Sequence, residues 1–355
     1  MAGLSPQAQR ELEIFQRQYL QLQADLIFPG SNCLRQEAFQ QVLYEEVFKD
    51  DAVVYQPPLR YQLRVLKELL SRIESSITDW DEDGISDGLM SRLSVLLSSA
   101  VPPEAVAAQQ KTYVTYTLSS LPPRSSQISR VQHPIITLLE SRNLIAAAGT
   151  TGLRTWEASL HLGSFLCSSR CPVNIAGKTV LELGAGTGFL SILCARYLDA
   201  VHVTATDGSD TVVSELPTNF YLNNLQDASQ IYATELIWGH ALMGGETAEW
   251  NLGRKIDVVL GADVTYDSSV IPSLVATVVD LINLFPEVKV ILGATIRKES
   301  SFQYFLRVCA ANSLAVEDIP FEVPKADLQT GPFYANKFPI KLCSLAKPKI
   351  GQTVI

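Results

Sequence analysis

Residues 179–198 have the sequence TVLELGAGTGFLSILCARYL. The first five residues form an apolar run typical of a buried strand, and an amphipathic stretch typical of a helix begins near Phe189. Between them Gly184, Gly186 and Gly188 stand two apart, whereas the last two glycines of the dinucleotide fingerprint stand three apart. The stretch therefore predicts a strand, a glycine loop and a helix, with a ligand that lacks the pyrophosphate of a dinucleotide.

Two carboxylates stand close to this loop in the sequence. Glu182 lies two residues before the first glycine, where a negative charge would oppose a phosphate but would suit a ligand with an ammonium or sulfonium group. Asp207 comes 19 residues after Gly188, at the end of the next predicted strand. An acidic side chain at that place can accept hydrogen bonds from both ribose hydroxyls. The pattern therefore favours one bound nucleoside without phosphates.

Short apolar runs alternate with helical stretches from residue 155 towards the end of the chain. A helix is expected to begin near Thr155, and further helices are expected at residues 189–198, 210–222 and 268–284. The expected strands are residues 179–183, 201–206, 231–236, 256–262 and 288–294. This alternation predicts an α/β fold with a parallel, doubly wound sheet, which binds ligands beyond the carboxyl ends of its strands.

The first hundred residues are predicted to be helical. Ser5 and Pro6 suit a helix start, and apolar residues at three- and four-residue steps extend to Leu26, before Pro29 and Gly30 end the helix. Further helices are expected at residues 34–48, after residue 58, and at 89–99. The alternating sequence KTYVTYTL then indicates a hairpin. We therefore divide the chain into a helical N-terminal domain (1–110), a hairpin and linker (111–150) and a third domain (151–355).

Composition excludes several classes of protein. The 355 residues are 47% hydrophobic and 18% charged, which is incompatible with a mostly disordered chain. The net charge of −9 argues against a nucleic-acid partner, because duplex binding depends on Lys and Arg. The N-terminus lacks a signal-peptide core, and the most apolar stretch, residues 270–285, is broken by Pro272 and Asp280. We expect a protein of the cytoplasm, without nucleic-acid or membrane partners.

Two possible metal motifs are incomplete. The segment TDWDEDGISDGLM opens like an EF-hand loop, but Met90 occupies the twelfth position, where a bidentate glutamate belongs. Cys167 and Cys171 stand four apart on a predicted helix without a second ligand pair nearby. The other four cysteines, at positions 33, 194, 309 and 343, show no framework spacing. We expect reduced thiols and no bound metal.

Several motifs resemble those of a known family. ELGAGTG (182–188), followed by TATDG (204–208), resembles the first two motifs of the seven-β-strand, or class I, S-adenosylmethionine-dependent methyltransferases. Members that methylate lysines of non-histone proteins are similar in three further motifs, GLRTWEASLHLGSFL, LIWG and GADVTY. The strings AGTTGLRTWEAS and ATIRKESSFQYFL and the helical N-terminal region are most similar to the eukaryotic elongation factor 2 lysine methyltransferases. The general resemblance covers residues 149–346.

The resemblance implies S-adenosylmethionine as the cofactor and a mostly parallel, seven-stranded sheet. By resemblance, Trp156 lies against the cofactor, residues 184–186 wrap its methionine portion, Asp207 holds the ribose, Trp238 flanks the adenine and Ala262 lines the pocket beside the sulfonium. The motifs and the resemblance together predict these cofactor-binding residues: Trp156, Glu182, Gly184, Ala185, Gly186, Gly188, Asp207, Trp238 and Ala262.

The chain departs from the family at one position. The family often has an aspartate before the Trp-Gly pair, whereas this chain has Ile237. The resemblance therefore supplies no polar contact to the adenine from that position.

Asp263 and Tyr266, just beyond the fourth predicted strand, are the catalytic candidates. They stand three apart where the methyl group would meet its acceptor. A lysine, with an ordinary pKa of about 10.4, is mostly protonated at neutral pH, so a narrow and largely dry site is needed to favour the neutral amine. We expect Asp263 to orient the amine as a hydrogen-bond acceptor and Tyr266 to wall the tunnel. Arg297, in ATIRK, is either a substrate contact or a surface ion-pair residue.

Other functions are open or less favoured. Methylation of a base nitrogen usually uses an Asn/Asp-Pro-Pro-aromatic loop, and DVTY lacks both prolines. Methylation of a cytosine carbon needs a cysteine near Asp263, and none of the six is near it in the sequence. A nicotinamide dehydrogenase disagrees with the glycine spacing. Histidine, arginine and small-molecule acceptors remain open, as does a non-catalytic scaffold that binds the cofactor.

The sequence thus predicts a protein-lysine N-methyltransferase of the cytoplasm. By resemblance, its protein substrate is translation elongation factor 2. We expect the enzyme to act as a monomer and the helical N-terminal domain to recognise the substrate.

Overall fold

The structure is a computed structural model. It describes residues 4–100, 102–107, 109–125, 131–142, 151–227, 229–240, 242 and 250–348. The chain divides into two units, Met1–Thr117 with Ser141–Leu144 and Leu118–Glu140 with Ile145–Ile355.

The first unit is largely helical. Its elements are α1 Pro6–Leu20, α2 Ser31–Leu34, α3 Glu37–Leu43, a π-helical turn Tyr44–Phe48, α4 Leu59–Ser76, α5 Asp87–Ser98, α6 Glu104–Ala107 and β1 Thr112–Thr117. Apolar side chains on one face of α1, α3 and α4 form its core, because the three- and four-residue spacing brings them to the same side of each helix. Its fully buried members include Leu12, Phe15, Tyr19, Phe39, Leu43, Phe48, Val65, Leu66, Leu69 and Ile73.

The first helix starts where the sequence predicts and ends earlier. The Ser5 side chain caps it by accepting a backbone hydrogen bond at 3.2 Å. The prediction extended the helix to Leu26, but it ends at Leu20 because Leu22 adopts the left-handed conformation, with φ +55°. Beyond this turn the side-chain oxygen of Gln18 accepts a backbone hydrogen bond at 2.7 Å, which holds the chain folded back.

The helix predicted over residues 34–48 begins later than expected, at Glu37, and continues through α3 into the π-helical turn that ends at Phe48, whereas Leu34 ends the separate α2. The buried amide of Gln40 accounts for the break between α2 and α3. Its nitrogen donates to the Leu34 carbonyl at 2.9 Å, and its oxygen accepts from the Ser86 amide at 2.8 Å. A side chain therefore takes the place of a backbone donor that would continue the helix past Leu34.

The second unit contains the α/β fold. Its elements are β2 Arg124–Ser125, β3 Val131–Gln132, β4 Ile135–Glu140, α7 Glu157–Leu166, β5 Thr179–Leu183, α8 Phe189–Tyr197, β6 His202–Asp207, α9 Asp210–Leu222, β7 Ile231–Glu235, β8 Val258–Ala262, α10 Ile271–Leu284, β9 Lys289–Thr295, α11 Glu299–Ala311, β10 Ala315–Ile319, a 3₁₀ turn Ala326–Leu328 and β11 Ile340–Ala346.

Seven of these strands form one sheet in the order β10-β11-β9-β8-β5-β6-β7. The five strands from β9 to β7 are parallel, β11 is antiparallel to β9, and β10 is antiparallel to β11. This confirms the predicted mostly parallel, seven-stranded α/β sheet. Leu183 is in register with Thr206 on one side and with Gly261 on the other, so the carboxyl ends of β5, β6 and β8 meet at one edge.

The two C-terminal strands were not located in the sequence. β10 contains Glu317 and Asp318, and β11 alternates exposed and buried residues, as in Lys341 and Leu342. Because each strand contains exposed residues, the two strands lack the continuous apolar runs of the central parallel strands. In the described residues, no helix is both long and apolar enough to cross a membrane.

Candidate active site

The glycine loop between β5 and α8 requires glycine for two separate reasons. Gly184, Gly186 and Gly188 all have positive φ angles, of 65°, 53° and 80°, which side chains rarely adopt. A Cβ on Gly186 would also lie 3.0 Å from the carbonyl oxygen of Gly152, and one on Gly188 would lie 2.7 Å from the Leu216 side chain. The absence of side chains therefore allows the neighbouring segments to approach the loop closely.

Trp238, after β7, lies beside the same loop. A Cβ on Gly184 would lie 3.4 Å from the Trp238 ring and 2.8 Å from Val264, so both side chains occupy the space that this glycine leaves. The indole Nε1 of Trp238 is buried and has no hydrogen-bond partner among the residues that the structure describes. An unsatisfied buried donor is costly, so this N–H is suited to a ligand acceptor.

Asp207 ends β6 next to the loop. One carboxylate oxygen accepts a hydrogen bond from the Gly186 amide at 3.2 Å, and the other accepts one from the Ser209 amide at 3.1 Å. Burial raises the pKa of Asp207, and these backbone hydrogen bonds oppose that rise. A carboxylate offers about four lone-pair sites, and the backbone hydrogen bonds from Gly186, Ser209 and Gly208 leave at least one of them, which suits Asp207 to accept from a hydroxyl group.

Glu182 is fully buried, and its carboxylate is directed to the first turn of α8. It accepts hydrogen bonds from the Ser191 amide at 2.8 Å and from the Ser191 hydroxyl. The pKa of Glu182 is raised to about 8, and burial is the largest cause of this rise. The contacts of Glu182 thus connect β5 to α8 beneath the loop, a role that the sequence pattern did not indicate.

The segment before α7 packs against the glycine loop. The hydroxyl groups of Thr155 and Thr187 lie 2.6 Å apart. Trp156, at the start of α7, donates from Nε1 to the Thr151 carbonyl at 2.9 Å. The Thr151 hydroxyl in turn donates to the hydroxyl of Tyr266 at 3.2 Å. These contacts bring Trp156 and Tyr266, which are far apart in the sequence, into one site.

Two guanidinium groups lie over the Trp156 ring. The centre of the Arg154 group is 4.8 Å from the ring centroid, and that of Arg297 is 4.9 Å from it. Glu157 lies 2.6 Å from Arg297 but 3.9 Å from Arg154. Arg297 therefore has the closer ion pair, and both cations favour the electron-rich face of the indole.

Asp263 follows β8 and is 8% exposed, with a φ of +54° that aspartate tolerates better than most residues. Its Oδ1 accepts from the Thr295 amide at 2.8 Å, and its Oδ2 accepts from the Thr295 hydroxyl at 3.0 Å. The Ala158 amide and Arg297 lie 3.4 and 3.6 Å from Oδ2. Burial raises the pKa of Asp263, whereas Arg297 and the hydrogen bonds from Thr295 lower it.

The structure brings the expected site residues to the carboxyl edge of the sheet in two groups. Asp207 and Trp238 lie beside the glycine loop. Trp156, Asp263 and Tyr266 are linked through contacts with Thr151 and Arg297. Ala262 is the last residue of β8, directly before Asp263. Sequence reasoning missed Thr151, Glu157 and Ser191, because a single threonine, glutamate or serine in a helix or loop carries no recognisable spacing.

The sheet order and the loop define a class I S-adenosylmethionine-dependent methyltransferase. The polar groups fit this nucleoside cofactor, because Asp207 can accept a hydrogen bond from a ribose hydroxyl and the buried Trp238 N–H lacks a partner in the described chain. In the described residues no group of three or more His, Cys, Asp or Glu side chains could hold a metal ion.

The lysine methyltransferase family model matches residues 142–310. The chain is 50% identical, over 98% of its length, to protein-lysine N-methyltransferase EFM3 of Chaetomium thermophilum, which is covered completely. EFM3 of Saccharomyces cerevisiae is 38% identical over 49% of this chain and 53% of its own. Human protein-lysine N-methyltransferase EEF2KMT is 26% identical over 74% of this chain and 75% of its own.

The chain belongs to the lysine methyltransferase family. It is a protein-lysine N-methyltransferase, its methyl donor is S-adenosylmethionine, and its acceptor is a lysine of a protein substrate.

Proposed function

We propose that this enzyme methylates a lysine of translation elongation factor 2, in the cytoplasm and as a monomer. The observation that carries the proposal is the extent of the similarity to human EEF2KMT, which covers 74% of this chain. Residues 142 to 355 are too few to account for that share, so the similarity extends into the helical region before them. The motifs AGTTGLRTWEAS and ATIRKESSFQYFL support the same substrate through their resemblance to the elongation factor 2 enzymes.

The reaction requires a neutral amine at the point where the methyl group is transferred. When bound, S-adenosylmethionine supplies an activated methyl group, so the protein mainly has to position and deprotonate the acceptor. A free lysine is neutral in about one molecule in a few thousand at pH 7, which corresponds to about 4–5 kcal/mol. A site with little water lowers this cost, because burial disfavours the ammonium form.

Asp263 is the residue that we propose to orient the amine. Its Oδ2 faces three donors, from Thr295, Ala158 and Arg297, whereas in the described part of the chain Oδ1 accepts only the Thr295 amide bond. Oδ1 therefore has a lone pair that can accept a hydrogen bond from the amine of the substrate lysine. A carboxylate alone would raise the pKa of the lysine, and the nearby Arg297 guanidinium opposes this effect.

Tyr266 is proposed to wall the opening through which the lysine side chain enters. Tyr266 is 53% exposed, and its hydroxyl is held by the Thr151 side chain. An aromatic ring held at one end can guide an aliphatic side chain and its cationic head without a strong ion pair. This arrangement supports a tunnel that admits the amine and excludes bulk water.

The helical unit is proposed to recognise the substrate protein. It has its own hydrophobic core, and none of the site residues described above belongs to it. A separate domain of this kind can bind a surface of the acceptor protein at a distance from the modified lysine. The whole chain and a version beginning at Lys111 would be compared in two assays. One measures cofactor binding, and the other measures methylation of the intact substrate protein and of a peptide around the modified lysine of that substrate.

The experiment that tests the substrate uses the full chain, radiolabelled S-adenosylmethionine, and purified elongation factor 2 with elongation factor 1A as the matched control. We expect label on elongation factor 2 alone, at one lysine located by mass spectrometry. Labelling of elongation factor 1A instead, or of neither factor, would overturn the proposed substrate. An Asp263→Asn enzyme serves as the control for labelling by contaminants.

A further inference from the structure

Arg154 is a cation without a close partner in the described part of the chain. Its Nε is buried, and the N–H there finds no hydrogen-bond acceptor among the described residues. The nearest carboxylate, Glu157, lies 3.9 Å from Nη2, which is too far for a hydrogen bond. Burying part of a guanidinium without such a bond is unfavourable, so the free protein holds Arg154 in a state that an anion would stabilise.

The surroundings of Arg154 place it beside the glycine loop. Two residues earlier, the Gly152 carbonyl approaches Gly186 so closely that a Cβ there would lie 3.0 Å away. One residue later, the hydroxyl of Thr155 lies 2.6 Å from that of Thr187. The residues on both sides of Arg154 therefore contact the glycine loop.

Stacking also limits the freedom of the Arg154 side chain. Its guanidinium lies 4.8 Å from the centroid of the Trp156 ring, and its side chain is 28% exposed. A planar guanidinium held against an aromatic ring presents its N–H groups in a fixed direction, so less side-chain entropy is lost when it binds a carboxylate.

Arg297, the other cation at Trp156, is already neutralised. It lies 2.6 Å from Glu157 and 3.6 Å from Asp263. Glu182, in turn, accepts its hydrogen bonds from Ser191, within the protein. Of the two cations at Trp156, Arg154 is therefore the one whose charge is available to an anionic ligand group.

We propose that Arg154 binds the α-carboxylate of S-adenosylmethionine. The methionine end of this cofactor carries the only anionic group of the molecule, and a guanidinium can bind a carboxylate through two parallel N–H bonds. Arg154 thus recognises the amino-acid end of the cofactor, while Asp207 is suited to the ribose. The inference depends on the cofactor alone and not on which protein is methylated.

The test measures binding by calorimetry, without any methyl transfer. Two ligands are compared, S-adenosylmethionine and its decarboxylated form, which keeps the sulfonium and the amine but lacks the carboxylate. We expect Arg154→Gln to weaken the Kd for S-adenosylmethionine about tenfold or more and to leave the Kd for the decarboxylated ligand unchanged. Arg154→Lys, which keeps the charge but not the planar fork, should give a smaller loss.

Arg170→Gln is the matched control, since Arg170 is exposed and the substitution removes the same charge. It should alter neither Kd, whereas an equal loss from this variant would reduce the effect of Arg154 to net charge and overturn the assignment. Unchanged binding of S-adenosylmethionine by Arg154→Gln would also overturn it. An equal loss with both ligands would do the same, because it would attribute the effect to damage of the pocket or of Trp156.

Discussion

Nη2 of Arg297 lies 2.6 Å from Oε2 of Glu157, and this ion pair joins the start of α7 to the segment that follows β9. The same guanidinium lies 3.6 Å from Asp263 and over the ring of Trp156. One cation therefore contacts the proposed amine-orienting carboxylate and the indole that is expected to lie against the cofactor.

Removal of the Arg297 charge should slow methyl transfer. Arg297→Gln would free Glu157 and remove one cation from Trp156, so we expect kcat/KM to fall about tenfold through loss of positioning. The melting temperature should change little, because the pair is partly exposed and such pairs contribute weakly to stability. Steady-state kinetics of Arg297→Gln and of the exposed Arg307→Gln as control would measure this, and equal kcat/KM values would contradict it.

Asp263→Asn should separate catalysis from cofactor binding. The amide keeps the shape of the side chain but loses the negative charge, so we expect transfer to fall about a hundredfold or more. Binding of S-adenosylhomocysteine should remain measurable by calorimetry. The exposed Asp280→Asn, on α10, is the matched control. If Asp263→Asn abolished cofactor binding as well, a purely structural role would replace the proposed orientation of the amine.

Glu182 should make the stability of the protein depend on pH. Its pKa is raised to about 8 in the folded protein, from 4.5, so the folded state retains a proton that the unfolded state releases between these values. The contribution of the Glu182 carboxyl to stability therefore falls as the pH rises from about 4.5 to 8. Glu182→Gln removes this dependence, so the variant should gain stability relative to the native chain between pH 5 and pH 8.

Urea denaturation at several pH values would measure this difference. The exposed Glu287→Gln serves as the control and should show no such trend. A difference between Glu182→Gln and the native chain that stays constant from pH 5 to pH 8 would disprove the raised pKa.

Gly186→Ala should damage the loop more than strain alone explains. Its φ of 53° costs an alanine about 1 kcal/mol, and its new Cβ would also meet the Gly152 carbonyl at 3.0 Å. Gly177→Ala is the matched control, because its φ is +74° but, apart from its chain neighbours, no atom of the described residues lies within 4 Å of a Cβ there. We expect both variants to lose stability and only Gly186→Ala to lose cofactor affinity, as thermal melts and calorimetry would determine. Equal cofactor binding by both variants would contradict the close approach at Gly186.

Local patterns were sufficient for the centre of the sheet. The buried runs of β5 and β8 and the glycines between β5 and α8 predicted strand, loop and helix because each depends only on neighbouring residues. The position of Asp207 at the end of β6 followed in the same way. The limits of the prediction lie at α1 and at residues 34–48, where Gln18 and Gln40 form hydrogen bonds with distant backbone.

The sequence by itself determined the parallel sheet, the nucleoside loop and the residues at the strand ends, since periodicity and turn chemistry are local properties. Only the tertiary structure decided which charges meet. It directs Glu182 to Ser191, pairs Glu157 with Arg297 and leaves Arg154 without a close anion in the described chain. The physical reason is that an ion pair depends on which separate elements pack together, and no spacing along the chain records that packing.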